Sequence, residues 1–177
     1  ALSSMELPDG VKSIPDEAFS GCSSLKKVSF ADDLSGLGEK AFYSCTSLQV
    51  IAIPEGVQKI SKRAFFKCRS LISITLPKSV TSIDDGAFAS CRSVSKIELP
   101  ETLESIGEYA FANCKALRGE ETFTPSGSTK PLIDKCMTLP QTLQMIGDHA
   151  FEGCSNLDGI VFENGMVSIG NDVFRYC

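Results

Sequence analysis

The chain has 177 residues, 42% of them hydrophobic, with 22 acidic and 17 basic residues and a net charge of −5. That apolar content excludes a disordered chain, and the acidic balance excludes a nucleic-acid binder, which needs a dense basic face to displace counterions from phosphate. It also argues against docking on anionic lipid, and no apolar run approaches the roughly 20 residues a membrane-spanning helix needs.

In chain order, the first unit sets a pattern that later units copy. Leu7 is followed by Pro8-Asp9-Gly10, which reads as a strand end and a turn, because proline has no amide to give to a ladder. Val11 and Ile14 then form an apolar pair three residues apart, the mark of a second short extended segment on the outer side. Asp16-Glu17 precede Ala18, Phe19 and Cys22, a stretch suited to one helical or 3-10 turn with a favourably charged start. Leu25, Val28 and Phe30 follow the cysteine by three, six and eight residues. The apolar–x–apolar alternation of the last two predicts a short strand with one buried face.

Ala-Phe-x-x-Cys recurs at Ala41-Phe42-Cys45, Ala64-Phe65-Cys68, Ala87-Phe88-Cys91, Ala110-Phe111-Cys114 and Ala150-Phe151-Cys154, and closes as Val173-Phe174-Cys177. The cysteine spacings are 23, 23, 23, 23, 40 and 23 residues. A repeat of this size means a stacked solenoid, in which one coil cannot bury its apolar residues alone and neighbours do it together. Residues 1–177 read as a single repeat domain of about seven coils. The chain opens inside a repeat and ends on a motif cysteine, so a piece of a longer protein is expected.

The stretch Leu71-Ile72-Ser73-Ile74-Thr75-Leu76-Pro77, followed by Val80, Ile83, Ala87, Phe88 and Cys91, resembles the BspA-like (Treponema pallidum type) leucine-rich repeat. The resemblance covers the whole chain except one insertion. It implies an α/β repeat: a curved leucine-rich-repeat solenoid with a concave parallel β-sheet, short convex strands and helical or 3-10 turns. It also implies proteins that are often exported or surface-attached, some of them adhering to host or extracellular-matrix proteins. It implies no one conserved ligand.

Eight cysteines invite a disulfide reading, but seven of them fall in one structural column. Parallel side chains on stacked coils do not converge as a disulfide requires. Free, buried thiols are therefore expected. No metal site is expected either, since there is no Cys-x-x-Cys pair and only one histidine. Cys136 stands outside the column, and alternation along Met137-Thr138-Leu139 points it toward the concave face. It is either a partly covered surface residue or, if exposed, a reactive or pairing thiol.

The 40-residue interval is 17 residues longer than the period, and the excess falls at about 118–134. Its Ser, Thr, Gly and Pro content marks a loop on the concave rim, where repeat-protein insertions often carry binding. A tolerated loop without a role is the alternative. Phe123, Lys130 and Leu132 are its candidate contact residues. The second candidate is the outward row of the concave strands: Val50, Ala52, Ser73, Thr75, Lys96, Glu98 and Thr138. These are small and mixed, with no aromatic anchor of the kind hot spots favour. The row offers a smooth, mildly apolar centre for a flat protein or an extended peptide; a plain solvated face is the other reading.

Nothing points to catalysis. His149 occupies a column shared with Glu17, Lys40, Arg63, Gly86, Tyr109 and Asp172, which reads as solvent-facing, and no nucleophile or orienting group recurs beside it. No phosphate-binding loop, dinucleotide fingerprint or zincin motif occurs, so no cofactor is expected. The sequence predicts a non-enzymatic protein-binding or adhesion solenoid of a cell-surface or secreted protein. The alternative is an intracellular, cytoplasmic scaffold or structural spacer, which free thiols would suit. The partner and the oligomeric state cannot be read from the residues.

Overall fold

The computed structural model describes residues 2–121, 135–162, 165 and 168–177. Two rows of short parallel strands follow the stack, each divided into two sheets. Along the concave side lie β1 (Ser4–Glu6), β3 (Lys27–Ser29), β5 (Val50–Ala52), β7 (Ser73–Thr75), β11 (Lys135–Leu139) and β13 (Ile160–Phe162). Along the outer side lie β2 (Ser13–Ile14), β4 (Gly36–Leu37), β6 (Lys59–Ile60), β8 (Ser82–Ile83), β9 (Ser105–Ile106), β12 (Met145–Ile146) and β14 (Ser168–Ile169). The outer row divides between β4 and β6. The remaining strand, β10 (Glu120–Glu121), begins the insertion.

Register follows the repeat. Val50 pairs with Ser73 and Ala52 with Thr75, each 23 residues on. The outer ladder absorbs the long interval without a slip, since Ser105 pairs with Met145 and Ile106 with Ile146. The concave ladder does not. It is a four-stranded sheet ending at β7 and a separate sheet of β10, β11 and β13. Between them, the residues around Lys96–Glu98 form no strand and no ladder. The insertion accounts for the second sheet's edge: β10 runs antiparallel to β11, pairing Glu120 with Cys136 and Glu121 with Lys135. The concave strand resumes at Met137, as the pattern predicts, opposite Ile160.

The core is a set of columns. Phe42, Phe65, Phe88, Phe111 and Phe151 are fully buried. Their rings stack in a single file, with Phe42–Phe65, Phe65–Phe88 and Phe88–Phe111 each 5.4 Å apart and nearly parallel. Leu25, Leu48, Leu71, Val94 and Leu117 form a second buried column, and Ile14, Ile60, Ile83, Ile106 and Ile146 a third. Phe19 and Phe174, in the end coils, are only partly buried because each lacks one neighbour.

The expected helical turns are corrected. The leucine-rich-repeat solenoid with its parallel strands is as expected, but the described residues contain no helix, so strands and turns alone build the coils. The Ala-Phe-x-x-Cys stretch does contain three-residue-back hydrogen bonds, such as Tyr43 N–H to Lys40 C=O and Cys45 N–H to Phe42 C=O. The amides between them point elsewhere: Phe42 N–H bonds to Ala64 C=O and Ser44 N–H to Phe66 C=O, both in the next coil. Alternate amides thus close turns and bridge coils. That alternation needs left-handed residues, and Lys40 (φ 51°) and Ser44 (φ 56°) supply them. A helix would aim all of these amides along the chain and leave the coils unlinked.

Candidate functional site

The concave strands alternate as the sequence requires. Val28, Ile51 and Ile74 face the core, while Val50, Ala52, Ser73 and Thr75 point outward and are exposed. Strand pairing brings the last four together as one patch on β5 and β7. Val50 is 53% exposed, which is high for a valine in the middle of a sheet. Beside it, the segments Lys26–Ser29 and Gln49–Ala52 bound a shallow hollow of about 500 Å³.

Ile72 belongs to the same patch and was missed by the strand reading. It is 55% exposed, and its N–H bonds to Gln49 C=O one coil back. It lies just outside the alternating core of the strand, in the column of Ser3, Lys26, Gln49 and Ser95. The signal available was an isoleucine standing alone in a polar column.

Lys96 and Glu98 are also exposed, and their side chains pair at 3.0 Å. They sit on the segment that leaves the ladder, flanked by two grooves. One, of about 300 Å³, separates it from β7; the other, of about 320 Å³, separates it from β11. Thr138 is exposed on β11, across the second groove and in a different sheet. The predicted row is therefore not one continuous surface. Val50, Ala52, Ser73 and Thr75 form its unbroken part. Phe123, Lys130 and Leu132 lie outside the described residues.

Cys136 is not on the concave surface. It is 3% exposed. Gly119 runs so close to the Cys136 backbone that a Cβ there would overlap it, and β10 pairs alongside. Burial removes the access a reactive thiol needs.

The motif cysteines hold their place in the core. Cys45, Cys68, Cys91, Cys114 and Cys154 are fully buried, and no disulfide joins any pair among the described residues. Each thiol donates to the carbonyl of the phenylalanine one coil back, as Cys91 does to Phe65 at 3.1 Å. Desolvation pushes the Cys45 and Cys114 thiols up to about 12, and raises the Cys68 and Cys91 thiols well above the usual range as well. These groups stay protonated, which suits packing and not nucleophilic chemistry.

His149 is half-buried, not solvent-facing. Its ring stacks on Tyr109 with centroids 4.6 Å apart. Nδ1 lies 2.9 Å from Glu152 Oε2, but the angle is too poor for a hydrogen bond. Its column is defined by backbone: Glu17, Lys40, Arg63, Gly86, Tyr109, His149 and Asp172 all have φ between 51° and 62°. The convex side also holds a shallow trough of about 340 Å³, where Gly86, Ala89 and Ala112 leave a gap between Phe66 and Tyr109.

The family model for the BspA type leucine-rich-repeat region matches residues 1–118 and 133–177 in six copies. No curated protein matches the chain. Among solved structures, the chain is similar to the leucine-rich-repeat protein of T. pallidum, at 33% identity and a TM-score of 0.84, over 99% of this chain and 77% of that one. It is similar to a leucine-rich-repeat protein of Bacteroides ovatus at 28% identity and TM-score 0.62, covering 99% of this chain and 53% of that one. A leucine-rich cell surface protein of Faecalibacterium prausnitzii matches at 27% identity and TM-score 0.55, over 98% of this chain and 58% of that one. The chain thus spans little more than half the length of the last two. The repeat motif, the parallel ladders and these likenesses agree, and the chain belongs to the BspA-type leucine-rich-repeat family.

Proposed function

We propose that the chain is a non-enzymatic protein-binding module of a cell-surface or secreted protein, and that it binds through the concave patch around Val50 and Ile72. The observation that carries this reading is the exposure of those two side chains, 53% and 55%, on a sheet whose backbone is fixed by ladders on both sides of the stack. Exposed apolar side chains on a rigid surface lose little entropy when a partner covers them. The surface location is supported by the likeness to the leucine-rich cell surface protein of F. prausnitzii, at 27% identity. The partner class we propose is a host or extracellular-matrix protein.

The rival compartment, the cytoplasm, was favoured by free thiols. That argument loses force for Cys45, Cys68, Cys91, Cys114 and Cys154, because thiols with no solvent access survive outside a reducing compartment. Binding of the chain to a panel of immobilised matrix proteins tests the reading. Val50→Asp and Ile72→Asp should each weaken the strongest interaction at least tenfold while the circular dichroism spectrum is unchanged. Equal binding by both variants would remove the concave patch.

A further inference from the structure

The patch has an electrostatic setting that the whole chain does not share. The protein carries a net charge of −5, yet the coil before Val50 presents two adjacent lysines to the same surface. Lys27 pairs in register with Val50, and Lys26 lies beside Gln49, whose N–H bonds to the Lys26 carbonyl. Both lysines are exposed, and neither meets a carboxylate among the described residues. On the other side of the patch Lys96 is already engaged by Glu98. Glu6 aligns with Ser29 rather than with Lys27, one strand further from Val50. The centre of the concave face is therefore an apolar strip with uncompensated positive charge along one edge.

We propose that this strip docks an extended acidic segment of a partner protein, with an apolar side chain resting on Val50 and Ile72 and a carboxylate two residues away meeting Lys26 or Lys27. The proposal rests on the concave-face reading above and adds the partner's chemistry. The spacing fits. Neighbouring coils lie about 4.8 Å apart, and same-face residues of an extended peptide are about 6.8 Å apart. A segment crossing the coils thus sets an apolar group over Val50 while its acidic neighbour falls within reach of a lysine stem. Opposite charges at a rim steer encounter and fix orientation, whereas like charges there reject a partner.

The test is methyl NMR of the intact chain titrated with two acetylated octapeptides. In one a central leucine is flanked by aspartates two positions away; in the other lysines replace the aspartates. The aspartate peptide should shift the Val50 and Ile72 methyl signals, with affinity falling about threefold or more between low and high salt, since exposed pairs are screened. The lysine peptide should shift neither signal. In the Lys26→Glu/Lys27→Glu variant the preference should reverse. Equal shifts from both peptides, or the same preference in the variant, would overturn the acidic specificity and leave concave docking standing. If neither peptide moves these methyls while Val50→Asp still abolishes matrix-protein binding, the extended-segment idea falls and the broader reading survives. If that variant also binds normally, both fall.

Discussion

The thiol of Cys68 donates to the main-chain carbonyl of Phe42 at 3.1 Å, reaching back one coil to an oxygen that also accepts the Cys45 amide at 3.2 Å. One carbonyl thereby ties its own turn and the next coil together. Cys68→Ala removes the second bond and leaves a small void, with an expected loss of about 1–2 kcal/mol in urea unfolding. Cys22→Ala should cost less, because Cys22 is only half-buried in the first coil. Equal stability of wild type and Cys68→Ala would mean that the column does not hold the stack.

The same burial makes the thiols unreactive and sets a pH limit. Desolvation raises Cys114 to about 12 from an ordinary value of 9. The folded chain then keeps a proton that the unfolded chain releases, so stability is full below about pH 9 and falls as pH rises toward 12. The expected slope is up to about 1.4 kcal/mol per pH unit for each such thiol. Urea midpoints measured from pH 8 to 11 check this. A flat profile would contradict it.

Cys177 behaves oppositely. It is exposed, unlike the other thiols of its column from Cys45 to Cys154, and its thiol donates to the Phe151 carbonyl at 3.1 Å. Iodoacetamide near neutral pH should therefore modify Cys177 first and leave Cys45, Cys68, Cys91 and Cys114 untouched until the chain unfolds. Peptide mass mapping reads this directly, and early labelling of Cys68 would refute it.

Phe65 sits between Phe42 and Phe88 at 5.4 Å from each, with no exposure. Phe65→Ala should cost about 3–5 kcal/mol. The end residue Phe19 is partly buried and stacks on one side only, so Phe19→Ala should cost distinctly less. A flat response along the column would show that the rings do not pack as a stack.

Coil spacing on the outer side depends on backbone approach. A Cβ on Gly107 would lie 2.6 Å from Asp85 N and 2.7 Å from Asp85 Oδ1. That Oδ1 accepts the Glu108 amide at 3.0 Å, so Gly107→Ala disrupts a bond between coils. About 1–3 kcal/mol of destabilisation is expected from the overpacking. Gly21→Ala meets nothing within 4 Å, and only its left-handed φ of 75° opposes it, so it should cost about 1 kcal/mol. Thermal denaturation of the pair separates the two causes.

Much of the fold could be read from the residues. The period, the buried columns and the strand positions follow from where apolar residues recur, and Met137 marks the resumption after the insertion. The helical turn was misread because Ala, Phe and Cys say nothing about φ at the residues between them. Two columns, one through Glu17, Lys40, Gly86 and His149 and one through Gly21, Ser44, Ser90 and Asn113, are diverse in chemistry yet uniform in left-handed backbone. Cys136 was misplaced because alternation fixes which side of a strand a residue faces but not whether another segment covers that side. Gly119 and β10 cover it. At the concave patch, Val50 and Ala52 were legible from period-two alternation. Ile72 was not, because it precedes the paired strand, and neither was the interruption at Lys96–Glu98, which arises from the ladder and not from composition.

The most direct test of the central claim, that partners dock on the concave patch, is amide hydrogen exchange on the chain alone and bound to a matrix protein from the panel. The account predicts new protection in residues 49–52 and 72–75, with the convex turns unchanged. Protection confined to the convex segments 84–90 and 107–113 would contradict it.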